Sequence, residues 1–123
     1  MAEDLNVEVV AADRKVWSGE ASIVIARTPE GEIGIMSGHE PVLGLLVAGS
    51  VTVRSTGGEA VVVAVSGGFL SVSENHIAIL AEQAELADEI DVAAAQAELA
   101  ELGEDREGAG RWAQARLDVA ASR

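Results

Sequence analysis

The feature that most constrains this chain is a change of periodicity near Glu85. From Leu5 to Leu80 the sequence is a series of short apolar runs with period-two alternation, rich in β-branched residues and bounded by Gly, Pro, Ser or charged clusters. From Glu82 onward only Ile90, Val92 and Val119 remain of that kind, and the helix formers Ala, Glu, Leu and Arg take over. A chain of 123 residues has room for one small domain with an appendage, not for two full cores. The expected fold is therefore α+β by segment. Residues 1–85 form an all-β sandwich of about eight to ten short strands, and residues 86–123 form a two-helix antiparallel hairpin.

The strands are expected over 5–11, 15–21, 22–28, 32–36, 50–55, 60–66, 69–73 and 76–81, with one or two more near 42–47. Thr56-Gly57-Gly58-Glu59 can supply positive φ at two central positions of a tight hairpin, and Ser66-Gly67-Gly68 marks another reversal. No βαβ rhythm appears. Because Trp17, Phe69 and Trp112 are the only aromatics, the core must be built from small aliphatic side chains, which suits thin layers.

In the tail, Val92, Ala95, Leu99 and Leu102 fall at i, i+3, i+7 and i+10, with Asp88 and Asp91 placed to cap or charge-stabilise the helix start and Gly103 to end it. A second helix is expected from about Glu107 to Ala121, with Ala109, Trp112, Ala113, Leu117 and Ala120 as its apolar stripe. Helices this short are marginal alone, and Gly108 and Gly110 weaken the second, so the tail should depend on docking. It has its own pattern and should share little core with the sandwich. The stretch 82–107 is strongly acidic, whereas Arg111, Arg116 and Arg123 face only Asp118 in the last stretch, so the two helices carry complementary signs.

Known catalytic patterns are missing. His39-Glu40 begins like a zinc-protease helix motif, but Leu43 stands where the second His is required and Pro41 interrupts the helix. There is no nucleophile elbow, Walker A loop or dinucleotide fingerprint, and the absence of cysteine removes disulfides, thiolate zinc sites and Cys nucleophiles. No cofactor or metal is expected. A net charge of −13 argues against a nucleic-acid partner. Gly44 and Gly49 break the most apolar stretch, so no membrane insertion is expected. An alternative of a different class makes Lys15, the sole lysine, the attachment point of a lipoyl or biotinyl arm. Such carriers put the lysine on an exposed mid-domain hairpin beside Asp and Met or Ala, whereas Lys15 lies near the N-terminus and precedes Val16-Trp17.

The string Gly31-Glu32-Ile33-Gly34-Ile35-Met36-Ser37-Gly38-His39-Glu40-Pro41 closely resembles the signature of the ATP synthase epsilon subunit family. Further likenesses follow in order: Trp17-Ser18-Gly19, Val65-Ser66-Gly67-Gly68-Phe69, Ile79-Leu80-Ala81-Glu82 and Glu89-Ile90-Asp91. This resemblance implies a non-catalytic rotor subunit. Its sandwich binds the gamma shaft and rests on the ring of c subunits, peripherally on the cytoplasmic face of a bacterial plasma membrane. Its tail can extend toward the alpha/beta subunits to restrain ATP hydrolysis. By position, the resemblance implies that Glu32 and His39 face the polar loops of the c ring and that Arg111 and Arg116 meet an acidic segment of β.

Some bacterial members of that family bind ATP in the folded tail through an Ile/Leu-Asp-x-x-Arg-Ala motif. Here the string is Ile90-Asp91-Val92-Ala93-Ala94-Ala95, with Ala94 at the arginine position, so weak or absent ATP binding is expected.

Overall fold

The computed structural model describes residues 4–102 and 109–121. Nine strands come first: β1 (Leu5–Ala11), β2 (Lys15–Thr28), β3 (Gly31–Met36), β4 (Val42–Leu46), β5 (Gly49–Ser55), β6 (Ala60–Val65), β7 (Gly68–Ser73), β8 (His76–Ala81) and β9 (Ala84–Leu86). A 3-10 turn (Ala87–Glu89) then leads into α1 (Val92–Leu102) and α2 (Ala109–Ala121). The hydrogen-bonded order is β4-β7-β8-β1-β2-β5-β6-β9, with β3 also pairing β2. β1 and β8 run parallel, and the other ladders are antiparallel.

β2 is what closes this ribbon into a sandwich. Its first half pairs with β1 and its second with β3 and β5, and the β2–β5 ladder shifts register between Ala21 and Ile23. Such an irregularity bends a strand and increases its twist. The sequence reading divides this segment in two at the same place, but it is one strand serving two layers. One layer holds β4, β7, β8 and β1, the other β3, β5, β6 and β9. The interior between them is aliphatic: Val7, Val9, Val24, Ile35, Val53 and Ile79 are among its most buried side chains. Alternation along β1, with Leu5, Val7, Val9 and Ala11 inward and Asn6 and Glu8 outward, shows the period-two rule at work.

Three local expectations change. β9 is a strand additional to those expected: its three residues pair with Val63, Ala64 and Val65 of β6, and the sequence division after residue 85 falls inside it. In the β5–β6 turn Gly58 alone takes positive φ, and the turn closes through Ser55 N–H to Glu59 O at 2.7 Å. Residues 66–67 form no hairpin, because β6 pairs with β5 and β9 while β7 pairs with β4 and β8. They cross from one layer to the other.

The tail docks on the outer face of β5 and β6. Trp112, Ala115, Val119 and Ala120 of α2 pack with Ile90 and with Ala64 of β6, with Val62 at the margin. The spacing 112, 115, 119 is one helical face, so α2 turns one side to the sheet and another to α1, where Ala113 and Ala95 are fully buried. The tail therefore shares only a small core with the sandwich. The physical signal was in β6: the run Ala60–Val65 is apolar without alternation, as a strand covered on both faces requires. Gly103 and the start of the second helix at Glu107 lie outside the described residues, as does Arg123.

Candidate docking surfaces

The two outer faces of the sandwich are treated differently. α2 covers the β5–β6 face. On the opposite face, strand register aligns Leu45 of β4, Phe69 of β7 and Leu80 of β8 in one row that continues to half-buried Val10 of β1. These three side chains are 56%, 51% and 49% exposed, and Leu43, two residues along β4, is 74% exposed. Each belongs to a strand whose alternate residues are in the core, so the row is the outward half of the same pleat. Contiguous exposed side chains of this size mark interaction surfaces rather than ordinary solvent-facing positions.

β3 pairs only with β2 among the described strands, which leaves its other edge open. Glu32 sits at the start of this edge strand, exposed, opposite Arg27 in the ladder and 3.4 Å from Arg27 Nη2. His39 lies three residues beyond its far end. Its amide donates to Met36 O at 3.1 Å, and its ring Nδ1 lies 2.7 Å from Glu40 O. A carbonyl can only accept, so Nδ1 carries the hydrogen and Nε2 is the ring atom able to accept in the neutral form. Glu32 and Met36 alone are separated by about 13 Å at strand rise, so the structure does not gather Glu32 and His39 into one cluster. They are the two ends of one open edge.

Arg111 and Arg116 occupy different surroundings. Arg111 is exposed and lines an open cleft of about 560 Å³ between α2 and the β2–β3 hairpin, together with Glu32, Arg27 and Asp118. Here the structure brings together Glu32 and Arg111, to which the resemblance assigns different partners. Arg116 is only 12% exposed: its Nη2 donates to Glu98 of α1, Nη1 lies 3.9 Å from Glu85 of β9, and its guanidinium stands 5.2 Å from the Trp112 ring centre. The complementary signs of the two helices are thus realised in the Arg116–Glu98 pair. Sequence reasoning missed Glu85 and Glu98, which read only as part of an acidic stretch.

Asp91 is the N-cap of α1, with Oδ1 accepting from the Ala94 amide at 3.0 Å. Lys15 opens β2 and pairs with Glu8 across the hairpin at 3.3 Å. Among the described residues no group of three or more His, Asp or Glu converges on a point that could hold a metal ion.

The chain is thus a nine-stranded sandwich with a helical hairpin laid on one face and a bare apolar row on the other. The family described as ATP synthase, Delta/Epsilon chain, beta-sandwich domain matches residues 4–87, and the chain belongs to that family. Its relatives include the ATP synthase epsilon chain of Streptomyces avermitilis, 60% identical over 99 residues covering 80% of each chain. That of Streptomyces coelicolor is 52% identical over the whole of both chains, and that of Rhodococcus jostii is 58% identical over 87% of this chain and 88% of its own. Among solved structures, a chain in the Euglena gracilis mitochondrial ATP synthase, an assembly titled OSCP/F1/c-ring, superposes with a TM-score of 0.71 at 23% identity, covering 97% of this chain and 80% of that one. A chain from the Tetrahymena thermophila mitochondrial ATP synthase, titled central stalk/c-ring, gives 0.62 at 14% identity over 98% of this chain and 96% of that one.

Proposed function

We propose that this chain is a non-catalytic rotor subunit of an F-type ATP synthase that docks on gamma through the Leu45–Phe69–Leu80 row. The observation that carries the reading is the asymmetry of the sandwich: the chain covers one apolar outer face with its own helix and leaves the other bare. The open β3 edge is the second contact. The polar loops of a c ring lying along it meet Glu32 at one end and His39 at the other, and the two contacts together pass rotation between proton flow and ATP synthesis. This job needs geometry and stiffness, not a reacting group. None of the described helices is long and apolar enough to cross a membrane, which suits attachment through the ring at the cytoplasmic face.

The tail is the regulatory part. In its docked form Arg116 is engaged by Glu98 and Glu85. Extension toward the alpha/beta subunits exchanges these partners for an acidic segment of β, joined by Arg111, and the balance of the two sets decides the population. Ala94 offers no guanidinium to nucleotide phosphates, so docking here rests on the internal contacts.

Reconstitution tests the reading. The full chain is expected to co-purify with gamma. Removal of everything after Leu86 is expected to leave that binding intact and to change the restraint on ATP hydrolysis. A chain that fails to bind gamma sinks the rotor assignment, and unchanged hydrolysis on truncation sinks the brake.

A further inference from the structure

We infer that Asn75 is the positioning residue for the loop that carries His39. β7 and β8 are joined by a two-residue turn, since Ser73 pairs with His76, and both turn residues take positive φ: Glu74 at 49° and Asn75 at 64°. Asn tolerates that region better than most residues because its short polar side chain can hydrogen-bond locally. Here the side chain reaches across the fold. Its Oδ1 accepts from the Gly38 amide at 2.8 Å, a contact 37 residues apart in sequence, while its main-chain oxygen accepts from the Asn6 amide at 2.8 Å. One residue thereby ties the β3–β4 connection to the β7–β8 turn and to the start of β1.

The need for such a tie follows from the loop's surroundings. Residues 37–41 carry the chain from β3, which pairs β2, to β4, which pairs β7 on the other layer. Gly38, Glu40 and Pro41 are exposed and Ser37 and His39 only half-buried, so burial does little to fix the loop. Its internal bonds, from His39 to Met36 O and to Glu40 O, hold its shape but not its placement on the sandwich. The Gly38–Asn75 bond supplies the placement, and the His39 amide is the very next one along the chain. A side chain that must press on a moving partner needs an anchor to rigid strands, and Asn75 sits where β7, β8 and β1 meet.

This inference rests on the reading that His39 meets the c ring, and three variants separate the two claims. Asn75→Gly keeps the turn conformation but removes the acceptor. Asn75→Asp keeps both. His39→Ala tests the contact itself. Amide exchange on the full chain is expected to show the Gly38 N–H exchanging about tenfold faster in Asn75→Gly, as loss of one such bond implies, and near the wild-type rate in Asn75→Asp. In the assembled complex, protons pumped per ATP hydrolysed are expected to fall in Asn75→Gly and His39→Ala and to recover in Asn75→Asp. Unchanged Gly38 exchange in Asn75→Gly overturns the anchor. Unchanged coupling in Asn75→Gly beside a loss in His39→Ala overturns the positioning role and leaves the contact standing. Unchanged coupling in His39→Ala overturns the contact and with it the role assigned to Asn75.

Discussion

Arg14 Nη2 donates to Glu89 Oε1 at 2.7 Å, fastening the β1–β2 turn to the 3-10 turn from which the tail departs. The same Oε1 accepts the Leu86 amide at 2.9 Å, and Arg14 also reaches Ala84 O at 3.4 Å. The strand end at Ala84–Leu86, the turn and the first hairpin are therefore held at one corner, where the tail is hinged.

The corner is sensitive to acid. The bond from Arg14, helped by the Leu86 amide, holds the Glu89 carboxyl below its ordinary value, and the Arg14 guanidinium is raised by the same bond. A carboxyl with a depressed folded-state pKa adds stability that is present above its unfolded value, near 4.3, and lost as pH falls through the lower folded value. With many other carboxylates titrating in that window, the measurement is a difference. Tail docking followed by Trp112 fluorescence is expected to lose less between neutral pH and acid in Glu89→Gln than in the wild type. Equal slopes contradict the assignment.

Trp112→Ala should undock the tail without unfolding the sandwich. The ring is the largest side chain in the shared cluster with Ala64 and Val119, and truncating a buried Trp costs about 3–5 kcal/mol. Helices of 11 and 13 residues cannot absorb that loss alone. Limited proteolysis should cut the tail faster in the variant while the main thermal transition of the sandwich stays near its wild-type midpoint.

Asp91→Ala removes the cap of α1 and should destabilise that helix by about 1 kcal/mol, read as faster exchange of the Ala94 amide. Asp91→Asn is expected to keep most of the protection, since the amide oxygen can accept the same bond.

Gly68→Ala is expected to lower the thermal midpoint of the sandwich sharply. At φ +146° an added Cβ would stand 1.9 Å from Leu80 O in the paired strand, and no rotamer relieves a clash with main chain. Gly44→Ala, with open space around the position, serves as the control and should leave the midpoint near wild type.

Much of this architecture is legible in the sequence because it depends on short-range patterns. The alternation of β1 and β8 and the Asp91 cap are local, and the structure matches them, whereas the switch to helix formers after Glu82 is followed by β9 and a 3-10 turn before α1 begins at Val92. The misses are long-range. β9 is three residues that become a strand only because β6 offers an edge. Nothing local distinguishes Ser66-Gly67-Gly68 as a layer crossing from a hairpin, because the partner of β7 lies elsewhere in the chain. The apolar row was invisible for the same reason: Leu45, Phe69 and Leu80 meet only through register across three strands. Asn75 gave no signal beyond that of an ordinary turn residue.

If gamma docks on the bare face, the affinity of the full chain for purified gamma depends on the side chains of that row. Replacing Leu45, Phe69 and Leu80 together by Asp places charges on the outer face alone, so the fold should persist. Binding is expected to weaken by about a hundredfold or more, as loss of an interface centre does, while Trp112→Ala on the opposite face binds like the wild type. Wild-type affinity in the triple variant, with the sandwich still folded, would contradict docking on the bare face.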